Sequence, residues 1–207
     1  MKGLFIKDLL ILLRNGRNTL YVLLVYCVVF GIITQEAPMV GGMAVMMLTM
    51  LSVSTFSYDN LARWESYALC LPVTRRQMVQ SKYLLSLLLA AIGSLLALII
   101  GLGIALVKGS PIGEAVAVSI GLLGVSVLLV SILLPLIYKL GIEKSKIVFI
   151  AVFGLPTLLI YLLVKLQVPL PTPEDLKKLL WLVPVLLLAL LAGSYQISCR
   201  IFQRKEF

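Results

Sequence analysis

Apolar residues run through this chain in long blocks separated by short polar clusters, and block length assigns each one. Crossing about 30 Å of hydrocarbon takes roughly 20 mostly apolar residues in a helix. Six blocks meet or approach that length: residues 19–34 (the shortest), 38–57, 83–107, 115–138, 147–164 and 179–198. None of them contains Asp, Glu, Lys or Arg. The pattern predicts an all-α, polytopic membrane protein with six transmembrane helices, organised as a single domain over residues 1–207.

Ahead of the first block, Leu4, Phe5, Leu9, Leu12 and Leu13 can share one helical face, with Lys7, Asp8 and Arg14 near its edges. The run is too short to span, and its charges would be costly at depth. It predicts an N-terminal interfacial helix lying on the membrane surface; a downward extension of the first span is the other reading. Lys7 and Asp8 interrupt any signal-peptide core, and no A-x-A pattern follows.

Small residues recur at every fourth position of the third span (Gly93, Ala97, Gly101, Ala105) and at the start of the fourth (Gly113, Ala117, Gly121). Such rows let helix backbones approach closely where lipid removes the ordinary hydrophobic drive. They are expected to face each other in an antiparallel pair joined by "KGSPIGE"; a glycine-lined pore is the alternative.

Between the second and third spans the pattern becomes denser. In "SYDNLARWESYALCL", Leu61, Trp64, Ala68 and Leu71 recur with helical spacing, and Asp59 and Arg63 stand four apart, as a supporting ion pair would. Pro72 ends that helix. Thr74 then offers an N-cap, with Gln77 three residues on to complete a capping box and Val73 and Met78 placed as a hydrophobic staple. From Arg75 a helix can continue to Val107, 33 residues, or about 50 Å at 1.5 Å per residue. Two or three turns must protrude from the membrane, rigidly joined to the third span. A push on them would move a membrane helix. Anchoring of Arg75 and Arg76 on anionic headgroups is the competing account of the charge.

Composition sharpens this picture. Hydrophobic residues make up 61% of the chain and charged residues 13%, against about 45–50% and about 25% in soluble domains. The net charge of +9 is explained by a positive-inside bias rather than by nucleic acid. The N-terminal stretch carries Lys2, Lys7, Arg14 and Arg17; the second loop Arg63, Arg75, Arg76 and Lys82; the fourth Lys139, Lys144 and Lys146; the tail Arg200, Arg204 and Lys205. The opposite side has only Lys108, Lys165, Lys177 and Lys178. Both termini are therefore expected in the cytoplasm. There is no histidine, and Cys27, Cys70 and Cys199 lack metal-site spacing; no catalytic group, metal or cofactor is expected.

The text "FSYDNLARWESYALCLPVTRRQMVQSKYLL" resembles the cytoplasmic loop of type-2 ABC transporter permeases. The N-terminal Lys7-Asp8-Leu9 resembles the "KDL" segment of their small six-span bacterial subfamily. The resemblance implies the permease subunit of an ATP-driven exporter in the cell (cytoplasmic) membrane, working with a separate ABC ATPase and a second permease, identical or related. It assigns ATPase contact to a coupling helix and its flanks: Trp64, Glu65, Leu71, Pro72, Val73, Thr74, Arg75 and Arg76. It also suggests an external gate at "PTPEDLKK", where Thr172 caps a helix start. The chain contains no G-x-x-x-x-G-K-[ST]; the nearest segment, "GIALVKGS", lacks the glycine before lysine, so ATP hydrolysis falls to a partner. Neutral, Met-rich spans suit an amphipathic or hydrophobic cargo such as a peptide, lipid or drug. An ion-coupled secondary transporter, an intramembrane enzyme and a non-transport scaffold are the other classes considered. Spans without ionisable residues weigh against the first two.

Overall fold

The computed structural model describes residues 2–33, 36–68, 70, 72–109, 111–141, 144, 165 and 183–204, all helix or connection. Helix α1 spans Lys2–Asn15, α2 Arg17–Ile33, α3 Ala37–Leu61, α4 Trp64–Ala68, α5 Arg75–Lys108, α6 Ile112–Leu140 and α7 Val183–Arg204. Four of these, α3, α5, α6 and α7, are long and apolar enough to cross a membrane. Helix α2 has 17 residues and corresponds to the first predicted span. The fifth predicted span (147–164), the start of the sixth and the expected external helix near Thr172 lie outside the described residues.

Helices α1 and α2 are separated only by Gly16, whose N–H still donates to Leu12 O while its own carbonyl accepts from Leu20. A Cβ at Gly16 would sit 2.5 Å from Leu12 O. The bend therefore requires glycine. Leu4, Asp8 and Leu12, each one turn apart, form the buried face of α1, while Ile6, Leu10 and Leu13 face outward. This corrects the sequence reading: Asp8 is at the centre of the buried face, and Leu13 is outside it.

The tightest packing is between α3 and α5, which run antiparallel. A Cβ on Gly41 would lie 2.8 Å from Ala97 Cβ, and one on Gly93 would lie 3.1 Å from Val45 Cα. Moving four residues along α3 thus moves four back along α5, and further along the same antiparallel pair Asp59 meets Lys82. The small-residue row of α5 is divided between neighbours: Gly93 and Ala97 face α3, whereas a Cβ on Gly101 would lie 3.3 Å from Ala115 Cβ of α6 and 3.7 Å from Ala37 Cβ of α3. The expected counterpart row on α6 is not used in this way. Gly113, Ala117 and Gly121 are exposed, and a Cβ on either glycine would meet nothing within 4 Å. The buried face of α6 carries Ala115, Ser119 and Ser126 instead.

At the loop after the second span, α3 itself continues to Leu61. The backbone turns at Ala62–Arg63, with Arg63 at φ 48°, and α4 follows for five residues. The amphipathic helix expected from Leu61 to Leu71 is therefore broken at its start. The expected Asp59–Arg63 pair is not formed: Arg63 has left the helix, and Asp59 has other partners.

Candidate coupling site

Helix α5 begins as its local sequence dictates. Thr74 takes an extended backbone (φ −80°, ψ 149°), its side chain accepts from Gln77 N–H, and Gln77 Oε1 accepts from Thr74 N–H at 3.1 Å. Both halves of the capping box are present. Val73 and Met78 belong to one apolar cluster with Leu4, Phe56, Trp64 and Phe202, which fixes the angle at which the loop enters the helix. The helix then runs unbroken for 34 residues and closes on Gly109 in a left-handed cap (φ 71°).

Arg75, at the first turn of α5, donates through Nη1 to Phe202 O at 3.2 Å and Gln203 O at 2.7 Å. A cation there satisfies carbonyls and complements the negative end of the helix dipole of α7. The start of α5 is thereby fastened to the end of α7.

Beneath this start lies a closed ring of four charges from three elements. Lys82 Nζ lies 2.6 Å from Asp59 Oδ2 and 3.0 Å from Asp8 Oδ1, and Lys7 Nζ lies 2.6 Å from Asp59 Oδ1 and 3.0 Å from Asp8 Oδ1. Asp8 is 1% exposed, and the side chains of Asp59 and Lys82 are each 9% exposed. Lys82 also donates to Thr55 Oγ1 at 3.1 Å. Thr55 spends its own proton on Ser52 O, so its oxygen is available as an acceptor. All three ammonium donors of Lys82 are used. Two positive and two negative charges balance, which makes burial tolerable. Lys7 lies 4.4 Å from the centre of the Trp64 ring, and Lys82 lies 4.9 Å from that of Phe56, so aromatic faces close the ring of charges on two sides.

A second polar cluster joins α5, α6 and α7. The single proton of Ser194 Oγ goes to Ser131 O at 2.6 Å. Ser194 must therefore accept from Tyr83 OH (2.6 Å), which in turn accepts from Ser198 (2.8 Å). The hydrogen-bond directions follow from counting protons.

The residues predicted to contact a partner are thus placed unequally. Trp64 faces inward onto Lys7, Val73 is half-buried, and Arg75 is engaged with α7. Pro72, Thr74 and Arg76 are exposed. Glu65 lies in α4 but its side chain, like the whole of Leu71, is outside the described residues. Lys7 and Asp8 of the "KDL" segment enter the charged ring; Leu9 is half-buried beside them. Sequence reasoning missed the ring itself and the Tyr83 cluster. The available signal was the position of Lys7 and Asp8 inside an apolar run and of Asp59 and Lys82 at the edges of apolar blocks, where charges need partners.

A set of long apolar helices with its ionic chemistry gathered at one end defines a multi-pass membrane protein. The family described as "ABC-2 family transporter protein" matches residues 3–203. The chain belongs to this family, and is a membrane permease of an ABC transporter. ABC-2 permeases typically work with an ABC ATPase. No curated protein and no solved structure matches the chain.

Proposed function

We propose that this permease is the six-span, membrane-embedded half of an exporter, with both termini in the cytoplasm and ATP hydrolysis supplied by a separate ABC ATPase. Two permeases, identical or related, would pair to form the pathway, and the cargo would be an amphipathic or hydrophobic peptide, lipid or drug. Helix α1 would lie at the cytoplasmic surface.

The observation that carries the coupling role is the capped, 34-residue helix α5. At about 1.5 Å per residue it is about 51 Å long, well beyond the hydrocarbon. Its first turns are held to α7 through Arg75 and to α1 and α3 through Lys82, so displacement at its start would be shared by four elements. The ATPase contact expected of Arg75 and Arg76 shifts accordingly, because Arg75 is occupied internally and Arg76 lies beside α7. The free apolar surface near the loop is instead Leu61 (81% exposed) and Tyr67 (59% exposed), together with exposed Pro72. Outside the bilayer such residues suit a protein partner.

An ion-coupled carrier would need titratable groups that act alone near the midplane. Asp8, Asp59 and Lys82 are mutually neutralised near helix ends, which favours a structural joint. Reconstitution with the cognate ATPase tests the reading: transport that requires ATP, and ATP turnover that responds to the permease, are expected. Transport driven by an ion gradient without ATP would overturn it.

A further inference from the structure

A stripe on α5 and a stripe on α7 together make a path whose chemistry changes from apolar to cationic. On α5 the positions are Arg76, Gln80, Leu84 and Leu87; on α7 Leu191 and Tyr195 share one face, and Arg200 joins the path from the neighbouring face beyond Tyr195. Leu84, Leu87, Leu191 and Phe5 of α1 line an apolar groove of about 470 Å³, with Gln80 and Tyr195 at its upper edge. Tyr195 also lines the adjoining hollow of about 300 Å³, whose other walls are Arg76, Gln196, Cys199, Arg200 and Gln203. The two spaces thus share one wall, the Tyr195 ring, itself fixed edge-on against Tyr83 at 5.6 Å. Neither Arg76 nor Arg200 has a carboxylate partner among the described residues.

We propose that this path is a binding site for one anionic phospholipid of the cytoplasmic leaflet. Its phosphate sits between Arg76 and Arg200, its glycerol region rests on Tyr195 and Gln80, and one acyl chain fills the groove between α1, α5 and α7.

Three features select this occupant. Two guanidinium groups in one hollow match a phosphate diester, which each can bind through paired N–H donors. The groove is lined by Leu84, Leu87, Leu191, Phe5 and Tyr83, with Ser81 beside them and no charged residue in its wall. The order also fits: four residues of helix, about 6 Å, separate Arg76 from Gln80 at the headgroup level, and seven more, about 10 Å, carry the groove down to Leu87 alongside the upper part of an acyl chain. A tyrosine at the boundary between the two regions is where an amphipathic ring belongs. Because Arg76 lies in the first turn of α5, next to Arg75, lipid bound here would brace the cytoplasmic end of that helix against α7. The inference rests on the proposed orientation but not on the ATPase assignment, and the lipid measurement reads it independently of both.

Native mass spectrometry of the delipidated permease, titrated with phosphatidylglycerol or phosphatidylcholine of identical chains, reads this site. The wild type is expected to retain phosphatidylglycerol in preference to phosphatidylcholine by on the order of tenfold. Arg76→Gln with Arg200→Gln should abolish the preference. Arg76→Lys with Arg200→Lys should keep most of it, which separates lost charge from lost folding. Leu87→Trp, which fills the groove, should lower retention of both lipids, and millimolar inorganic phosphate should not displace the bound lipid. Equal retention of the two lipids by the wild type, or an undiminished preference in the Gln variant, overturns the proposal. Displacement by inorganic phosphate would reduce the site to an anion hollow and also overturn it. So would a Gln variant that keeps its lipid but sheds a co-purifying ATPase, since the arginines would then serve a protein.

Discussion

Lys82 of α5 and Asp59 of α3 lie 2.6 Å apart, side chain to side chain, where the end of α3 meets the first turns of α5, the most closely packed helix pair among the described residues. Their separation in sequence spans the whole loop, so the contact closes that loop like a clasp. Lys7 and Asp8 complete the ring from α1, and the loop with its capped helix is built on top of it.

Breaking the ring on one side leaves a buried charge without its partner. Lys82→Ala is therefore expected to cost about 3–5 kcal/mol, read as a large fall in thermal stability of the detergent-solubilised permease. The pair substitution Asp59→Leu with Lys82→Met removes one charge of each sign and leaves Lys7 with Asp8. It should recover most of the loss. A double variant as unstable as Lys82→Ala would show that the ring is not the unit described.

The capping box gives a smaller and more local effect. Thr74→Ala should cost about 1 kcal/mol and leave the fold intact, while amide exchange accelerates over the first turn of α5. Unchanged exchange at residues 75–79 would show that the cap does not hold the helix start.

This cap was legible in the sequence because its partners are three residues apart. The charged ring was not, since Lys7 and Asp59 are separated by 52 positions and Lys82 and Asp8 by 74. Spacing rules do not reach across a helical hairpin. The pattern did report four charges within or beside apolar runs, two of each sign, and the energetic demand that buried ions be paired. The small-residue row on α5 was also legible, but not its direction: a row of Gly and Ala says that something approaches closely, not which neighbour. Here α3 takes Gly93 and Ala97, and Gly101 sits between Ala115 of α6 and Ala37 of α3.

That division yields a contrast between glycines. Gly41→Ala would drive a Cβ into that of Ala97, which has no rotamer to yield, and should cost about 1–3 kcal/mol. Gly113→Ala and Gly121→Ala meet open space in the chain and should be neutral or stabilise slightly, by up to about 1 kcal/mol. Melting temperatures of the three variants in one detergent check the order. For the same reason Ala97→Cys, in a background lacking the native cysteines, should not cross-link between permeases.

Tyr83→Phe removes the hydroxyl that links Ser194 and Ser198. Ser194 keeps its bond to Ser131 O, but Ser198 loses its acceptor, so a cost of about 1–3 kcal/mol is expected. Wild-type stability of Tyr83→Phe would mean that the cluster does not clamp α5 to α7.

Among the cysteines, Cys70 is exposed, Cys199 buried and Cys27 half-buried. An impermeant thiol reagent should label Cys70 in inside-out vesicles and not in intact cells, with Cys199 protected in both. Strong labelling of Cys70 from outside intact cells would reverse the proposed orientation.

The central claim is that an ATPase drives α5 by pressing on the surface beside its capped start. Leu61→Asp with Tyr67→Asp changes two exposed side chains of that surface and leaves the charged ring, the cap and Arg75 in place. The decisive measurement is transport per ATP hydrolysed in vesicles holding the permease variant and its cognate ATPase, with membrane expression and ATPase retention scored on the same samples. The account predicts normal insertion, weakened ATPase retention and transport reduced by at least about tenfold, as loss of a buried apolar contact of roughly 1.4 kcal/mol or more requires. Wild-type transport and wild-type ATPase retention in this variant would contradict it.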